Sequence, residues 1–188
     1  LLNTIPSEDG YQPTLASEMA GLHERLSSTK DNAISTIEAI YVPSDDILDQ
    51  GVNAIFPYLD STVVLSRSVY QEGKLPAIDI LSSSSSGLNP DIVGSFHYET
   101  ALAAQSLLKQ AVALERIVAL VGESELSSED QRIYKRAAKL RNFMTQNLFV
   151  LETQSGVPGQ YVTLKTTIND VNQILVGRYD HIPEEKFL

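Results

Sequence analysis

The sequence predicts an α/β segment followed by an all-α segment. In the first part, short β-branched runs follow an amphipathic helical pattern. Beyond residue 88 the apolar residues recur at helical steps instead. A serine run at residues 82–87, followed by Asn89-Pro90, separates the two regimes and reads as a short flexible junction. The expected division is therefore residues 1–81 and residues 82–188.

The elements follow in order. Leu15, Met19, Leu22 and Leu26 step by four, three and four, which marks one face of a helix. Pro13 stands just ahead of it, as suits a helix start. The stretch AISTIEAIYV, residues 33–42, reads as a buried strand. STVVLS, residues 61–66, is a second strand. LPAIDIL, residues 75–81, is a third, which Pro76 confines to a strand start or a sheet edge.

The helical part begins near Phe96. Leu108, Val112, Ile117 and Val121 are expected on one side of a long helix. A turn rich in carboxylates comes next, with Glu123, Glu125, Glu129 and Asp130. A second helix starts near Ser128, where Ser127 and Asp130 have the spacing of a capping box. Its apolar stripe is Ile133, Ala137, Leu140 and Met144. Its basic residues Arg132, Lys135, Arg136, Lys139 and Arg141 read as a solvated face. A third helix carries Leu164, Ile168, Val171 and Leu175, with Gly177 as its C-terminal cap.

Composition narrows the function. The 188 residues carry 24 acidic and 14 basic side chains, for a net charge of -10. Nonspecific nucleic-acid binding needs a cationic surface, so that class is disfavoured. With no cysteine, disulfides and thiolate metal sites are excluded. No apolar run reaches membrane-spanning length. The opening LLNTIPSEDG lacks a basic region and does not read as a signal peptide.

Self-contained catalytic chemistry is hard to find. His23, His97 and His181 each stand outside any metal or catalytic motif and read as structural or exposed. No G-x-S-x-G elbow, H-E-x-x-H pair or G-x-x-x-x-G-K-[ST] phosphate loop occurs. Asp45, Asp46 and Asp49 could hold a hard cation, but their spacing is not that of a calcium loop. A solvated acidic turn is the better reading.

Several stretches do carry a resemblance. GYQPTL at residues 10–15, AIYVPSDD at 39–46 and LDSTVVLSR at 59–67 are similar to motifs of the beta subunit of rotary ATP synthases. So are NPDIVGSFHYETA at 89–101, GESELSSED at 122–130, GVPGQYVTLKTTI at 156–168 and GRYDHIPEEKF at 177–187. They occur in the family's order over the whole chain.

The resemblance implies the C-terminal part of a RecA-like nucleotide-binding domain, then a helical C-terminal domain with a rotor-facing acidic hairpin. It implies ATP or ADP with Mg²⁺, held mainly by residues outside this chain, because the family's Walker motifs and catalytic Glu precede GYQPTL. It implies alpha-type subunits in an alternating ring, a central gamma-type rotor, and a place peripheral to a membrane on the cytoplasmic or matrix side. It also implies that the serine run is an ordered junction. Tyr41 matches the family's catalytic-site tyrosine. Asp46, Asp49, Glu125, Glu129 and Asp130 match its rotor-contacting acids.

Leu75, Leu148, Leu151 and Gln154 fall at its adenine-pocket positions, where the family has a Tyr, a Phe, an Ala and a second Phe. Base stacking on an aromatic ring contributes about 1–3 kcal/mol. Loss of two such contacts would cost about tenfold to several-hundredfold in affinity unless neighbours such as Phe143 or Phe149 compensate. Ser86 replaces the family's Arg at the end of the serine run. Two functions are thus expected to compete. One is a catalytic beta-type subunit coupling ATP turnover to rotation. The other is an inactive beta-like structural subunit of a repurposed rotary or motility assembly.

Overall fold

The computed structural model describes residues 5–7 and 10–187 of the chain. They divide into two compact units, Leu1–Thr62 and Val63–Leu188.

The first unit holds helix α1 (Leu15–Glu24) and helix α2 (Gln50–Ile55). Asp49 caps α2: its Oδ1 accepts from Gly51 N at 2.8 Å and from Val52 N at 3.3 Å. The same oxygen accepts from the Tyr11 hydroxyl at 2.8 Å. Gly51 leaves room for that tyrosine, since a Cβ there would stand 2.9 Å from its hydroxyl oxygen. Val52 is buried beneath this cap.

The expected stripe of α1 is present, but none of its residues is buried. The expected strand at residues 33–42 does not form among the described residues. Ile34, Ile37 and Tyr41 are 51, 103 and 85 % exposed. The propensity of β-branched residues reflects fit to a half-buried pleated surface, and no such surface lies beneath them here. The unit closes with strand β1 (Ser61–Thr62).

The expected strand at residues 61–66 is cut to β1 and the bridge residue Leu65, and the one at residues 75–81 to the bridge residue Ile78. Leu65 and Ile78 form an antiparallel bridge. Ser66 N donates to Ala77 O and Asp79 N to Val64 O, each at 2.8 Å. Between them lies helix α3 (Arg67–Gln71), capped by Ser66. The peptide bond between Leu75 and Pro76 is cis. The serine run is an ordered turn rather than a flexible linker. Ser82 Oγ donates to Asp79 Oδ2, and Ser83 Oγ to the Asp79 carbonyl, both at 2.6 Å. Ser84–Ser85 form strand β2.

The helices follow: α4 (Pro90–Val93), α5 (Ser95–Val121), α6 (Ser128–Phe143), α7 (Glu152–Ser155) and α8 (Leu164–Leu175). Helices α5 and α6 form a hairpin, and α8 packs against both. Leu108, Ala111, Ala137, Leu140, Val171 and Ile174 make the core. The buried face of α5 corrects the expected one. Leu108, Ala111 and Leu114 turn inward, while Val112, Ile117 and Val121 are 37, 47 and 55 % exposed. The expected steps of four, five and four drift around the helix. Steps of three turn by about 60° each as well, so it is the packing of α5 against α6 and α8 that selects the buried side.

Ser127 caps α6 as expected, while Asp130 takes the Ser127 hydroxyl rather than its backbone N–H, so only half of the capping box forms. Ser127 Oγ accepts from Asp130 N at 3.1 Å and donates to Asp130 Oδ2 at 2.7 Å. Helix α8 ends in a Schellman motif. Gly177, at φ +80°, donates to Ile174 O, and Arg178 N donates to Gln173 O.

Candidate functional site

Within the second unit one hydrogen bond joins two loops singled out in the sequence. Gln146 N donates to the Leu75 carbonyl at 2.7 Å. Gln146 Nε2 reaches Gln160 O at 2.8 Å, and Gln160 N donates to Asn147 O at 3.0 Å. The loops at residues 75, 146–147 and 160 are thus stitched together by two backbone bonds and the Gln146 side chain. Leu75, Leu148 and Leu151 are all half-buried in this region. Gln154 belongs to α7, but its side chain lies outside what the structure describes. Phe143 packs against the helical core. Phe149 turns outward, 61 % exposed.

A cavity of about 510 Å³ opens beside this cluster. Lys74, Pro76, Ile78, Leu108, Arg141 and Gln146 are among its walls. Leu75, Leu148 and Leu151 do not line it. In the first unit a separate cavity of about 590 Å³ is bordered by His23, Glu24, Tyr58 and Asp60. His23 stacks on Tyr58 at 4.5 Å between ring centres, and its Nε2 lies 3.2 Å from both Glu38 oxygens. This fits the expected structural role for that histidine.

The predicted rotor-facing acids fall in two places. Asp46 Oδ1 accepts from Leu48 N at 2.9 Å, and Asp49 is the α2 cap already described. No group of three or more metal-ligating side chains gathers among the described residues. At the α5–α6 tip, Glu125 and Glu129 are exposed. Asp130 is half-buried beside the Ser127 cap, and Glu123 pairs with Lys135 at 3.3 Å. Tyr41 stands 85 % exposed.

The expected solvated basic face of α6 holds for Arg132 and Lys135, which are exposed, and is corrected for Arg136, Lys139 and Arg141. Lys139 is 4 % exposed and donates to the carbonyls of Tyr179 at 2.9 Å and Asp180 at 3.0 Å. Arg136 holds Asp180 and the Leu175 carbonyl. Asn142 Nδ2 donates to Glu184 O at 3.0 Å, and Arg141 pairs with Glu115. Arg136, Lys139 and Asn142 fasten the C-terminal segment to the helix, and Arg141 ties α6 to α5. The hydrogen bond from Arg136 is the main influence lowering the Asp180 pKa. That same bond chiefly raises the Arg136 pKa. The signal was in the spacing, because Arg136, Lys139 and Phe143 run alongside Ala137 and Leu140 on the inner half of the helix.

A nucleotide-binding α/β portion followed by a helical domain is therefore the class of this chain. The ATP synthase alpha/beta family, nucleotide-binding domain, matches residues 1–85, and the C-terminal domain of V and A type ATP synthase matches residues 86–182. The chain belongs to this family of rotary ATP synthase subunits. Its fold is similar to that of a unique ATP synthase subunit, NeqB, from Nanoarcheaum equitans. The TM-score is 0.78 at 23 % identity, over 93 % of this chain and 41 % of that one. The chain thus spans about two fifths of that subunit's length. Among the described residues no helix is long and apolar enough to cross a membrane.

Proposed function

We propose that the chain serves as the beta-type subunit of a rotary ATP synthase or ATPase ring, coupling ATP hydrolysis or synthesis to rotation of a central rotor. The observation that carries this reading is the bond from Gln146 N to the Leu75 carbonyl. It sets the loop before Leu148 beside Leu75, as a base pocket shared by two loops requires. Leu75, Leu148 and Leu151 offer such a base an apolar wall. Residues 1–81 act as the nucleotide-binding portion and residues 82–188 as the helical domain.

Phosphoryl transfer of this kind depends on positioning and on electrostatic stabilisation. Mg²⁺ with the nucleotide supplies charge neutralisation and is held mainly by residues outside this chain. Tyr41 is the contribution of this chain to the catalytic site. Alpha-type subunits flank the chain in the ring. Asp46, Asp49, Glu125, Glu129 and Asp130 face a gamma-type rotor. The complex sits peripheral to a membrane.

The loss of aromatic side chains at 75 and 148 favours a second reading, an inactive beta-like subunit that keeps only the ring contacts. The upstream sequence of the purified subunit, together with the ATPase activity of its complex, separates the two. A phosphate loop and a catalytic Glu with ATP turnover are expected. A subunit lacking both, in a complex whose turnover survives its removal, would overturn the catalytic reading.

A further inference from the structure

His23 lies on α1 with both ring nitrogens turned to oxygen. Nδ1 stands 2.8 Å from the Met19 carbonyl, one turn back in the same helix. Nε2 stands 3.2 Å from each carboxylate oxygen of Glu38, in the 33–42 segment. A carbonyl and an ionised carboxylate only accept hydrogen bonds. Either neutral tautomer of the ring would therefore set one nitrogen lone pair against an oxygen. Both contacts become hydrogen bonds when both nitrogens carry hydrogen, in the imidazolium form.

The surroundings suit a cation. The ring stacks on Tyr58 at 4.5 Å with 11° between the planes, and an aromatic face attracts positive charge. Glu24 on α1 and Asp60 beyond Tyr58 border the adjoining cavity together with His23, and among the described residues no Lys or Arg lines it. The side chains of His23 and Glu38 are 8 and 21 % exposed, so water screens their contact less than it would a surface pair. Thr36 Oγ1 adds a longer bond to Glu38 Oε1, at 3.4 Å, within the segment itself. The contact with His23 reaches out of the segment and ties it to α1, and no strand forms at residues 33–42 to hold it otherwise.

We propose that His23 and Glu38 form a pH-sensitive clasp, which holds the 33–42 segment to α1 while the imidazole carries both protons and releases it when one passes to solvent. Imidazole ordinarily exchanges that proton between about pH 5 and 8. The tether is therefore complete on the acid side of this range and lost as pH rises through it. It controls the backbone that carries Tyr41, and it stands independently of the role proposed for that tyrosine.

The test is amide hydrogen exchange in the intact subunit within its assembled complex, corrected for the intrinsic pH dependence of exchange. Protection in peptides covering residues 33–42 is expected to fall about tenfold between about pH 5 and 8, with no matching step in residues 108–114 of the helical core. His23→Gln keeps a donor at every pH, and Glu38→Gln keeps an acceptor without its charge; both should give flat profiles. A flat profile in the parent, or a step that persists in His23→Gln, would overturn the proposal. Where a variant fails to assemble, the parent decides: a step confined to residues 33–42 supports the clasp, and one shared with residues 108–114 overturns it.

Discussion

Arg136 grips Asp180 through two nitrogens, Nε donating to Oδ1 at 2.8 Å and Nη2 to Oδ2. A third nitrogen, Nη1, donates to the Leu175 carbonyl at 3.1 Å. Gly177 lies beneath the guanidinium, which a Cβ at that position would overlap. The end of α8 is thereby fastened to α6.

This pair carries a pH dependence. Arg136, chiefly through its hydrogen bond, holds the Asp180 carboxyl below the ordinary range; partial burial opposes it and nearby cationic charge assists. A carboxylate with a lowered folded pKa stabilises above its unfolded value, near about 4, and that contribution is lost as pH falls through the folded value. Both side chains face water substantially, so the effect should not exceed about 1 kcal/mol. Urea midpoints above and below that window, for the parent and for Asp180→Asn, measure it. Equal acid losses in both proteins would assign the effect to other carboxylates.

Lys139 acts by hydrogen bonding rather than by exposed charge. Lys139→Met keeps most of the stem and leaves two carbonyls without their donor. The expected cost is about 1–3 kcal/mol in denaturant unfolding. Amide exchange should accelerate in residues 179–187 in particular. Unchanged protection there would mean that the segment is held by other contacts.

The core gives a calibrated contrast. Leu140 is 1 % exposed, and Leu120 on the neighbouring helix is 85 % exposed. Leu140→Ala should destabilise by about 2–5 kcal/mol. Leu120→Ala should stay within about 0.5 kcal/mol. Thermal or urea unfolding of the two variants decides whether the inward face of α5 and α6 is assigned correctly.

At the hairpin tip, structure and function should separate. Ser127→Ala removes the α6 cap and should cost about 0.5–2 kcal/mol. Charge reversal at exposed Glu125 and Glu129 should leave stability nearly unchanged and, if the proposed rotor contact holds, lower the ratio of ion transport to ATP turnover in the assembled complex. A ratio identical to the parent's would remove these acids from rotor contact.

The helical half was legible in the sequence because its signals are local. Ser127 with Asp130, and Gly177 after Leu175, need no distant partner to act as caps. The stripe of α6 was legible for the same reason, since Ala137 and Leu140 sit four and seven residues after Ile133. The inward face of α5 was not, because this helix carries apolar residues nearly all round and only its packing against α6 and α8 selects Leu108, Ala111 and Leu114. The strand expected at residues 33–42 depends on a neighbour for its backbone groups, which no local pattern supplies. Lys139 escaped notice because composition marks a lysine as surface, whereas its partners are carbonyls some forty residues away. At the base-pocket positions the sequence located the loops. The bond between Gln146 and Leu75, and the outward turn of Phe149, came only with coordinates.

The length of α5 has a mechanical consequence. Its 27 residues make a rod of roughly 40 Å at about 1.5 Å per residue. A tilt of about 10° at the Ser95 end would sweep the Val121 end through roughly 7 Å, more than one helical turn. Braced by α6 along its side, such a rod would, under the proposed function, act as a lever arm, turning a small angular change at its base into a displacement of the Glu125 and Glu129 tip.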